Sequence, residues 1–449
     1  MATEKSNYIC KECGFVSPKW MGRCSNCGAW NSFIEKNEDI INKEFDIKPL
    51  SLSKIEITSH TRFLSGIDEL DRVLGGGIVA GSLILLGGAP GIGKSTLILQ
   101  VASLFSNRYG NVLYVSGEES ARQIKMRAER LNSVSDNLMV LAETNYSKIS
   151  YVLKKNPEYR LIILDSIQTI YQPKLDSSPG SINQVKEISN DLLKYAKRNE
   201  ISVVMIGHVT KEGNIAGPRV LEHIVDTVLQ FEGDSNNYFR ILRSIKNRFG
   251  SSNEIGVFRM GSKGMKEVKN PSQLFLAERP EGAAGSVIVP VIEGSRTILI
   301  EVQALVSGAA FGNSRRITMG LDSKRLSILL AVLEKKAGLN LQNMDVQLNI
   351  TGGLKANEPA LDLAMITAIL SSYREYALPP DLAVIGEVGL AGEVRAVSQL
   401  EKRLAELIKL NFKRVIIPKG NKNKLKKKMG INLKGISDIR QLISFLFKE

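Results

Sequence analysis

The sequence predicts an α/β protein in three parts: a four-cysteine finger, a parallel sheet with helices on both faces, and a second α/β domain. Three observations predict it. All four cysteines fall within the first 27 residues. Apolar runs of strand length alternate with helical stretches between residues 61 and 265, the pattern of a parallel sheet covered on both faces. Strands and helices mix again from residue 281 to 449, after a connector at 266–280 bracketed by Pro271 and Pro280.

Bulk properties agree with this division. At 449 residues the chain is too long for one ordinary core. Its 43% hydrophobic and 24% charged residues are normal for a globular protein. No apolar run approaches the roughly 20 residues that span a bilayer. The start, Met1-Ala2-Thr3-Glu4-Lys5, lacks the apolar core of a signal peptide. A cytoplasmic protein with no membrane partner is expected. Lys and Arg total 60 against 46 Asp and Glu, a net charge of +14. That balance favours a polyanionic partner, though solubility or genomic composition also produces it.

The finger comes first, over residues 1–30. Cys10, Cys13, Cys24 and Cys27 read C-x₂-C-x₁₀-C-x₂-C. Each pair turns two sulfurs toward one point, and two pairs complete a tetrahedral S₄ site for Zn²⁺. Gly14 and Gly28 follow the pairs, where a tight knuckle needs a permissive residue. Four thiolates leave no open position, so the metal is structural. Disulfides do not suit a cytosolic chain; an iron–sulfur cluster is the other occupant such a set holds. Lys11, Lys19, Trp20, Arg23 and Trp30 mix cations with aromatics, which suits phosphates and unstacked bases. Alternatively, the tryptophans pack over a very small core. Residues 31–60 are polar and charge-mixed and read as a linker.

In the second domain, strands are expected at Ser82–Leu86, Val112–Val115, Leu161–Leu164, Val203–Ile206 and Thr227–Phe231, and helices at Ser120–Leu131 and Ile182–Arg198. Gly88-Ala89-Pro90-Gly91-Ile92-Gly93-Lys94-Ser95, followed by Thr96, matches G-x-x-x-x-G-K-[ST] at every fixed position. A strand precedes it and a helical pattern follows, the order this P-loop motif requires. Backbone N–H groups of such a loop turn in around phosphate oxygens, and the helix N-terminus adds positive potential. ATP is therefore the expected cofactor, bound across Gly88–Thr96, with Lys94 on the β/γ-phosphates and Ser95 on Mg²⁺. Leu161-Ile162-Ile163-Leu164-Asp165 is an apolar strand ending in an acid, the Walker B form, which makes Asp165 a second Mg²⁺ ligand. Buried strands often end in Asp, so this reading leans on the P-loop upstream. After Val115-Ser116-Gly117, Glu118 is the first choice to activate the attacking water and Glu119 the alternative. Both also favour the start of the following helix.

Several segments together now carry a family resemblance. The run Leu64-Ser65-Gly66-Ile67-Asp68-Glu69-Leu70-Asp71-Arg72-Val73-Leu74-Gly75-Gly76-Gly77 ahead of the P-loop resembles RecA-type recombinase ATPases. The Cys₄ finger, Lys246-Asn247-Arg248-Phe249-Gly250, Gly207-His208-Val209-Thr210-Lys211-Glu212-Gly213 and Ile215-Ala216-Gly217-Pro218-Arg219 narrow it to the bacterial RadA (Sms) DNA-repair family. The resemblance covers essentially the whole chain. It implies a homo-hexameric ATPase that loads on single-stranded and branched DNA and promotes branch migration in homologous recombination, with the recombinase RecA as partner. In that family the K-N-R-F-G signature serves both hydrolysis and DNA, so Lys246 and Arg248 join Lys94, Glu118 and Asp165 as catalytic candidates. A cation given across a subunit interface neutralises developing charge on the γ-phosphate; a solvated basic turn is the plainer reading. By the same resemblance His208 lies beside the Walker B strand as a γ-phosphate sensor, or else is a satisfied core histidine. Lys211, Arg219, Lys246 and Arg248 are the DNA-contact candidates.

The third domain resembles the proteolytic domain of Lon, on Thr351–Asp362 and Gly386–Arg395. Lon-type proteases use a Ser–Lys dyad. Aligning on Pro359 puts Ala360 at the serine's place and Glu401 at the lysine's, with Lys402 one residue off. No peptidase activity is expected, and the domain reads as a scaffold. Seven lysines and no acid lie between Lys419 and Lys434 (Lys419, Lys422, Lys424, Lys426, Lys427, Lys428, Lys434); they suit a phosphate backbone or a plain solvated surface. The leading expectation is a DNA-dependent ATPase. Its rivals are a nucleotide-switched, clock-type assembly ATPase and an ATP-dependent protease.

Overall fold

The computed structural model describes residues 7–36, 51, 61–208, 220–232, 239–277, 279–309, 314–425 and 429–447. Two compact units, Met1–Ser59 and His60–Glu449, are described separately.

Residues 7–36 of the first unit form a ribbon. Strands Val16–Ser17, Asn7–Cys10 and Phe33–Lys36 form an antiparallel sheet in that order. The third strand continues the fold past residue 30, into the stretch expected to be linker, because Phe33 pairs with Cys10 and is buried with Cys10 and Cys24. Two matched turns complete it. Gly14 N–H donates to Cys10 O and Gly28 N–H to Cys24 O, each at 2.9 Å. The two glycines have φ of +74° and +75°, the left-handed backbone that disfavours a side chain.

In the second unit, nine strands among the described residues form one sheet. They are β1 (Leu83–Gly88), β2 (Val112–Ser116), β3 (Leu138–Ala142), β4 (Leu161–Asp165), β5 (Ser202–His208), β6 (Thr227–Glu232), β7 (Phe239–Asn247), β8 (Ile255–Gly261) and β9 (Gly264–Glu267). Their order is β9-β8-β7-β6-β1-β5-β4-β2-β3. The six from β6 to β3 run parallel, and β7, β8 and β9 extend the sheet antiparallel beyond β6. Alternate residues face opposite sides. Ile84 and Leu86 pack with Leu97, Val101 and Phe105 of helix α1 (Lys94–Tyr109) and Ile124 of α2 (Ala121–Arg130). Leu83 and Leu85 pack with Ile149 of α3 (Tyr146–Lys155) and Ile188 and Leu192 of α4 (Ile182–Asn199). This two-faced burial is why the strands read as continuous apolar runs.

A second sheet follows: β10 (Ser286–Glu293), β11 (Arg296–Gly308), β12 (Arg316–Met319), β13 (Met344–Ile350), β14 (Leu382–Val384), β15 (Arg414–Pro418) and β16 (Asn432–Ile436). Its order is β12-β13-β11-β10-β14-β15-β16. Helices α5 (Ser323–Ala337) and α6 (Asp362–Tyr373) pack on it with Leu329 and Ile366.

The two sheets share a core. Ile241, Ile255 and Val257 of the first cluster with Val287, Val289 and Val291 of the second. The stretch expected as a connector is packed in as well: β9 crosses residue 265, and Phe275 of the short helix Pro271–Leu276 belongs to the same cluster. Polar ties reinforce the join. Arg243 bridges Glu232 at 2.6 Å and Glu293 at 2.5 Å, and Arg296 meets Glu69 at 2.9 Å.

Candidate functional site

The P-loop leaves β1 at Gly88 and enters α1 at Lys94. Gly93 takes φ +112°, which strains any residue with a side chain, and a Cβ there would stand 2.4 Å from the Met265 methyl, which would have to shift. No side chain caps Gly93 among the described residues, and the first turn of α1 carries no acid. The positive end of the helix dipole at this terminus suits an anion. Ile92 O accepts from Arg240 Nε at 3.2 Å, so a buried guanidinium on β7 braces the loop.

Lys94 is buried, and its ammonium donates to Gly88 O at 2.9 Å and Ala89 O at 3.0 Å. Burial pushes its pKa down, opposed by the carboxylates of Asp165 and Glu118. The P-loop lysine and the two acids thus share one electrostatic site. The sheet order explains why. β4, which ends in Asp165, is separated from β1 by β5 alone, and β2 lies on its far side with Ser116 in register with Asp165. Glu118 follows two residues after Ser116.

Two hydroxyls fix the acids. Tyr114, buried on β2, donates its OH to Asp165 Oδ2 at 2.5 Å. Asp165 Oδ1 takes no hydrogen bond from the described residues. Burial, then the Asp165 charge, raises the Tyr114 pKa well above the usual phenol value. Ser166 Oγ donates to Glu118 Oε1 at 2.6 Å. Glu119 is otherwise engaged, in an ion pair with Arg127. Sequence reasoning missed Tyr114 and Arg240: a tyrosine within Val-Leu-Tyr-Val reads as core, and Arg240 sits in a strand that was not expected. Asp165 and Ser95 offer hard oxygen donors, the set that Mg²⁺ prefers.

Lys246 and Arg248 are not brought to this site within one chain. Lys246 pairs across β7 with Val228 of β6, which pairs with Leu85, three residues before Gly88. β7 runs antiparallel, so each later residue lies farther from the P-loop. Lys246 Nζ donates to Glu222 O at 2.5 Å and Val225 O at 2.9 Å. Arg248 bonds Asp226 Oδ1 at 3.1 Å, and Asp226 Oδ2 accepts from Leu83 N–H at the opposite end of β1. Nor is the pentapeptide a loose basic turn. Asn247 Nδ2 donates to Leu74 O, and Arg62 to Phe249 O, so it is fastened to the glycine-rich segment that precedes the P-loop strand. His208 ends β5, the neighbour of β4, and its backbone pairs with Gly88 of β1. Lys211 and Arg219 lie outside the described residues, as do Lys426, Lys427 and Lys428.

In the ribbon, Cys10, Cys13, Cys24 and Cys27 place their sulfurs within 4.8 Å of one another. Two Sγ–Sγ distances, Cys10–Cys27 and Cys13–Cys24, are 3.6 Å. A tetrahedron with Zn–S of about 2.3 Å has edges of about 3.8 Å, so the four sulfurs fit zinc. The Ser32 hydroxyl, 3.2 Å away, is the largest influence lowering the Cys10 thiol to about 6.

The two Lon-like segments meet: Gly386 N–H donates to Ala360 O at 3.0 Å, and Leu363 N–H to Gly386 O at 2.9 Å. Ala360 is 2% exposed. Glu401 and Lys402 are exposed on helix α7 (Leu400–Lys409), and the cation turned inward is Arg403, 1% exposed. It bonds both oxygens of Glu358, at 2.8 and 2.6 Å, and Pro290 O at 2.6 Å. Ala360 thus offers no hydroxyl, and of residues 401–403 the one turned inward is a guanidinium that does not deprotonate.

Comparison with known proteins completes the picture. Family models match a rubredoxin metal binding domain over residues 8–35, an AAA domain over 49–214, and subunit ChlI of Mg-chelatase over 323–421. The chain is 49% identical over 454 residues to DNA repair protein RadA of Bacillus subtilis (strain 168), covering 99% of each. It is 50% identical over 455 residues to DNA repair protein RadA of Streptococcus pyogenes serotype M1, covering 100% of each. It is 46% identical over 450 residues to DNA repair protein RadA of Listeria monocytogenes, covering 98% of each. With 46–50% identity from end to end to these proteins, the chain belongs to the RadA family of DNA repair proteins.

Proposed function

We propose that this chain hydrolyses ATP in order to act on single-stranded and branched DNA, promoting branch migration and the processing of recombination intermediates. The observation that carries the reading is the shared site of Lys94, Asp165 and Glu118 at the carboxyl ends of three strands. Phosphoryl transfer needs a cation on the phosphates, an acid for the metal and a group to orient the nucleophile, and those three residues supply them. Lys94 holds the β/γ-phosphates against the N–H groups of the first turn of α1. Glu118, held by Ser166, orients the attacking water and accepts its proton. Ser95 and Asp165 would hold Mg²⁺, which would neutralise charge between the β- and γ-phosphate oxygens.

In this reading Lys246 and Arg248 act across an interface of a homo-hexamer, on a neighbour's γ-phosphate or on DNA. Their distance from their own P-loop supports that assignment. Lys211, Arg219 and the Lys419–Lys434 run track the phosphate backbone, RecA is the recombinase partner, and the work is done in the cytoplasm. The Lon-like domain serves as a scaffold. An ATPase assay with and without single-stranded DNA, followed by branch migration on a three-strand intermediate, tests the proposal. DNA stimulation and strand movement are expected. If DNA neither binds nor stimulates at low salt, the chain is a nucleotide-switched assembly protein instead.

A further inference from the structure

Tryptophan in a minimal ribbon ordinarily supplies core, yet here it does not. Phe33, Cys10 and Cys24 fill the ribbon's interior, while Trp20 is 54% and Trp30 71% exposed. Both indoles border the same short segment. The Trp20 ring lies against Gly22, where an added Cβ would stand 3.9 Å from it, and Trp30 pairs in an antiparallel bridge with Arg23. The Arg23 guanidinium stands 5.6 Å from the centre of the Trp30 ring and is anchored by Nε donating to Gly28 O at 3.2 Å. One face of Trp30 is thus under a cation, and the residue as a whole remains largely exposed. Lys11 and Lys19 are exposed on the same small unit, with Glu12 as the exposed acid near them.

We infer that Trp20 and Trp30 form a stacking platform for the unpaired bases of single-stranded DNA, with Arg23, Lys11 and Lys19 on its phosphates. This rests on the proposed action on single-stranded DNA and assigns part of that contact to the ribbon. An indole stacks on any base whose face is free, and a duplex hides those faces. Protein-binding tryptophans sit at the centre of well-packed, desolvated patches; here Gly22 borders Trp20 and the Arg23 guanidinium lies over Trp30. The platform is tolerant of sequence, because every base has a π-face.

The test is direct, because Trp20 and Trp30 are the only tryptophans in the chain, so emission excited at the red edge, where tyrosine does not absorb, reports on the ribbon alone. Full-length, zinc-loaded protein is titrated with a labelled oligothymidylate, reading label anisotropy and tryptophan emission together. Emission should be quenched along the same binding curve, and an abasic oligomer of equal length should leave it unchanged. W30A should weaken oligonucleotide binding roughly tenfold and W30F much less, with one zinc retained per chain in each. If anisotropy reports binding while emission stays flat and W30A binds normally, the platform is overturned and the DNA reading stands. If the wild-type protein binds no oligonucleotide, both fall. Emission that responds to a recombinase protein and not to DNA would make the tryptophans a protein-docking site and overturn the platform.

Discussion

The Tyr114 hydroxyl donates a 2.5 Å hydrogen bond to Oδ2 of Asp165, and both groups are buried between β2 and β4. A hydrogen bond to a charged group contributes about 1.5–3 kcal/mol. Here that energy holds Oδ2 and, in the proposed site, would leave Oδ1 to the metal. Tyr114→Phe removes one oxygen and leaves the packing intact. We expect the Mg²⁺ concentration for half-maximal ATP turnover to rise roughly tenfold, with nucleotide binding in excess chelator unchanged. A Mg²⁺ titration with wild-type midpoint would show that the hydroxyl serves packing alone.

Glu118 and Glu119 are adjacent in sequence and differ in their partners: Ser166 holds the first, and Arg127 pairs with the second. Glu118→Gln should retain ATP binding and lose turnover by about 10²–10⁴, the usual contribution of a positioned general base. Glu119→Gln should cost far less. Lys94→Ala should abolish turnover and weaken nucleotide binding. Phosphate release and fluorescent-nucleotide binding separate these outcomes, and a reversed ranking of the two glutamates would exchange their roles.

Local chemistry made part of this legible. The P-loop needs a strand before it and a helix after it, so the motif placed β1 and α1 at once. The expected ends of β2, β4, β5 and β6 fall within one or two residues of those observed, because strands buried on both faces are unbroken apolar runs. β3 was missed, since its edge position leaves Met139 and Val140 exposed and blunts the signal. Strand direction cannot be read from a pentapeptide. The K-N-R-F-G signature does not say how far Lys246 lies from its own P-loop; only the antiparallel pairing of β7 with β6 does. The Arg403–Glu358 pair was hidden for a similar reason: alignment pointed at residues 401 and 402, while helical phase turned the next residue inward with Leu400, Leu404 and Leu407.

That placement of Lys246 yields a mixing experiment. If Lys246 and Arg248 serve a neighbour's nucleotide, a K94A chain still offers its cations and a K246A chain still offers its P-loop. Each alone should be inactive or nearly so, and the mixture should recover ATPase activity after subunit exchange. Recovery is measured as phosphate release across a series of mixing ratios. A mixture no more active than its parts would mean that Lys246 acts within its own subunit or on DNA.

The inward-facing Arg403 gives the last prediction, on stability. Its guanidinium is 1% exposed and depends on Glu358 for charge balance. Breaking a buried pair by deleting one partner leaves the other charge uncompensated and costs about 3–5 kcal/mol. Glu358 also accepts from Ile292 N–H at 3.1 Å, so its loss frees the loop before Ala360 from β10 as well. Glu358→Ala should therefore lower the unfolding midpoint clearly. Ala360→Ser, which restores a hydroxyl, should neither destabilise comparably nor create ATP-dependent casein cleavage, because Glu401 and Lys402 are exposed and the inward-facing Arg403 is a guanidinium that cannot act as a base. Thermal unfolding and a casein assay on the two variants read these outcomes. Cleavage by the serine variant would mean that Lys402, not Arg403, reaches the site.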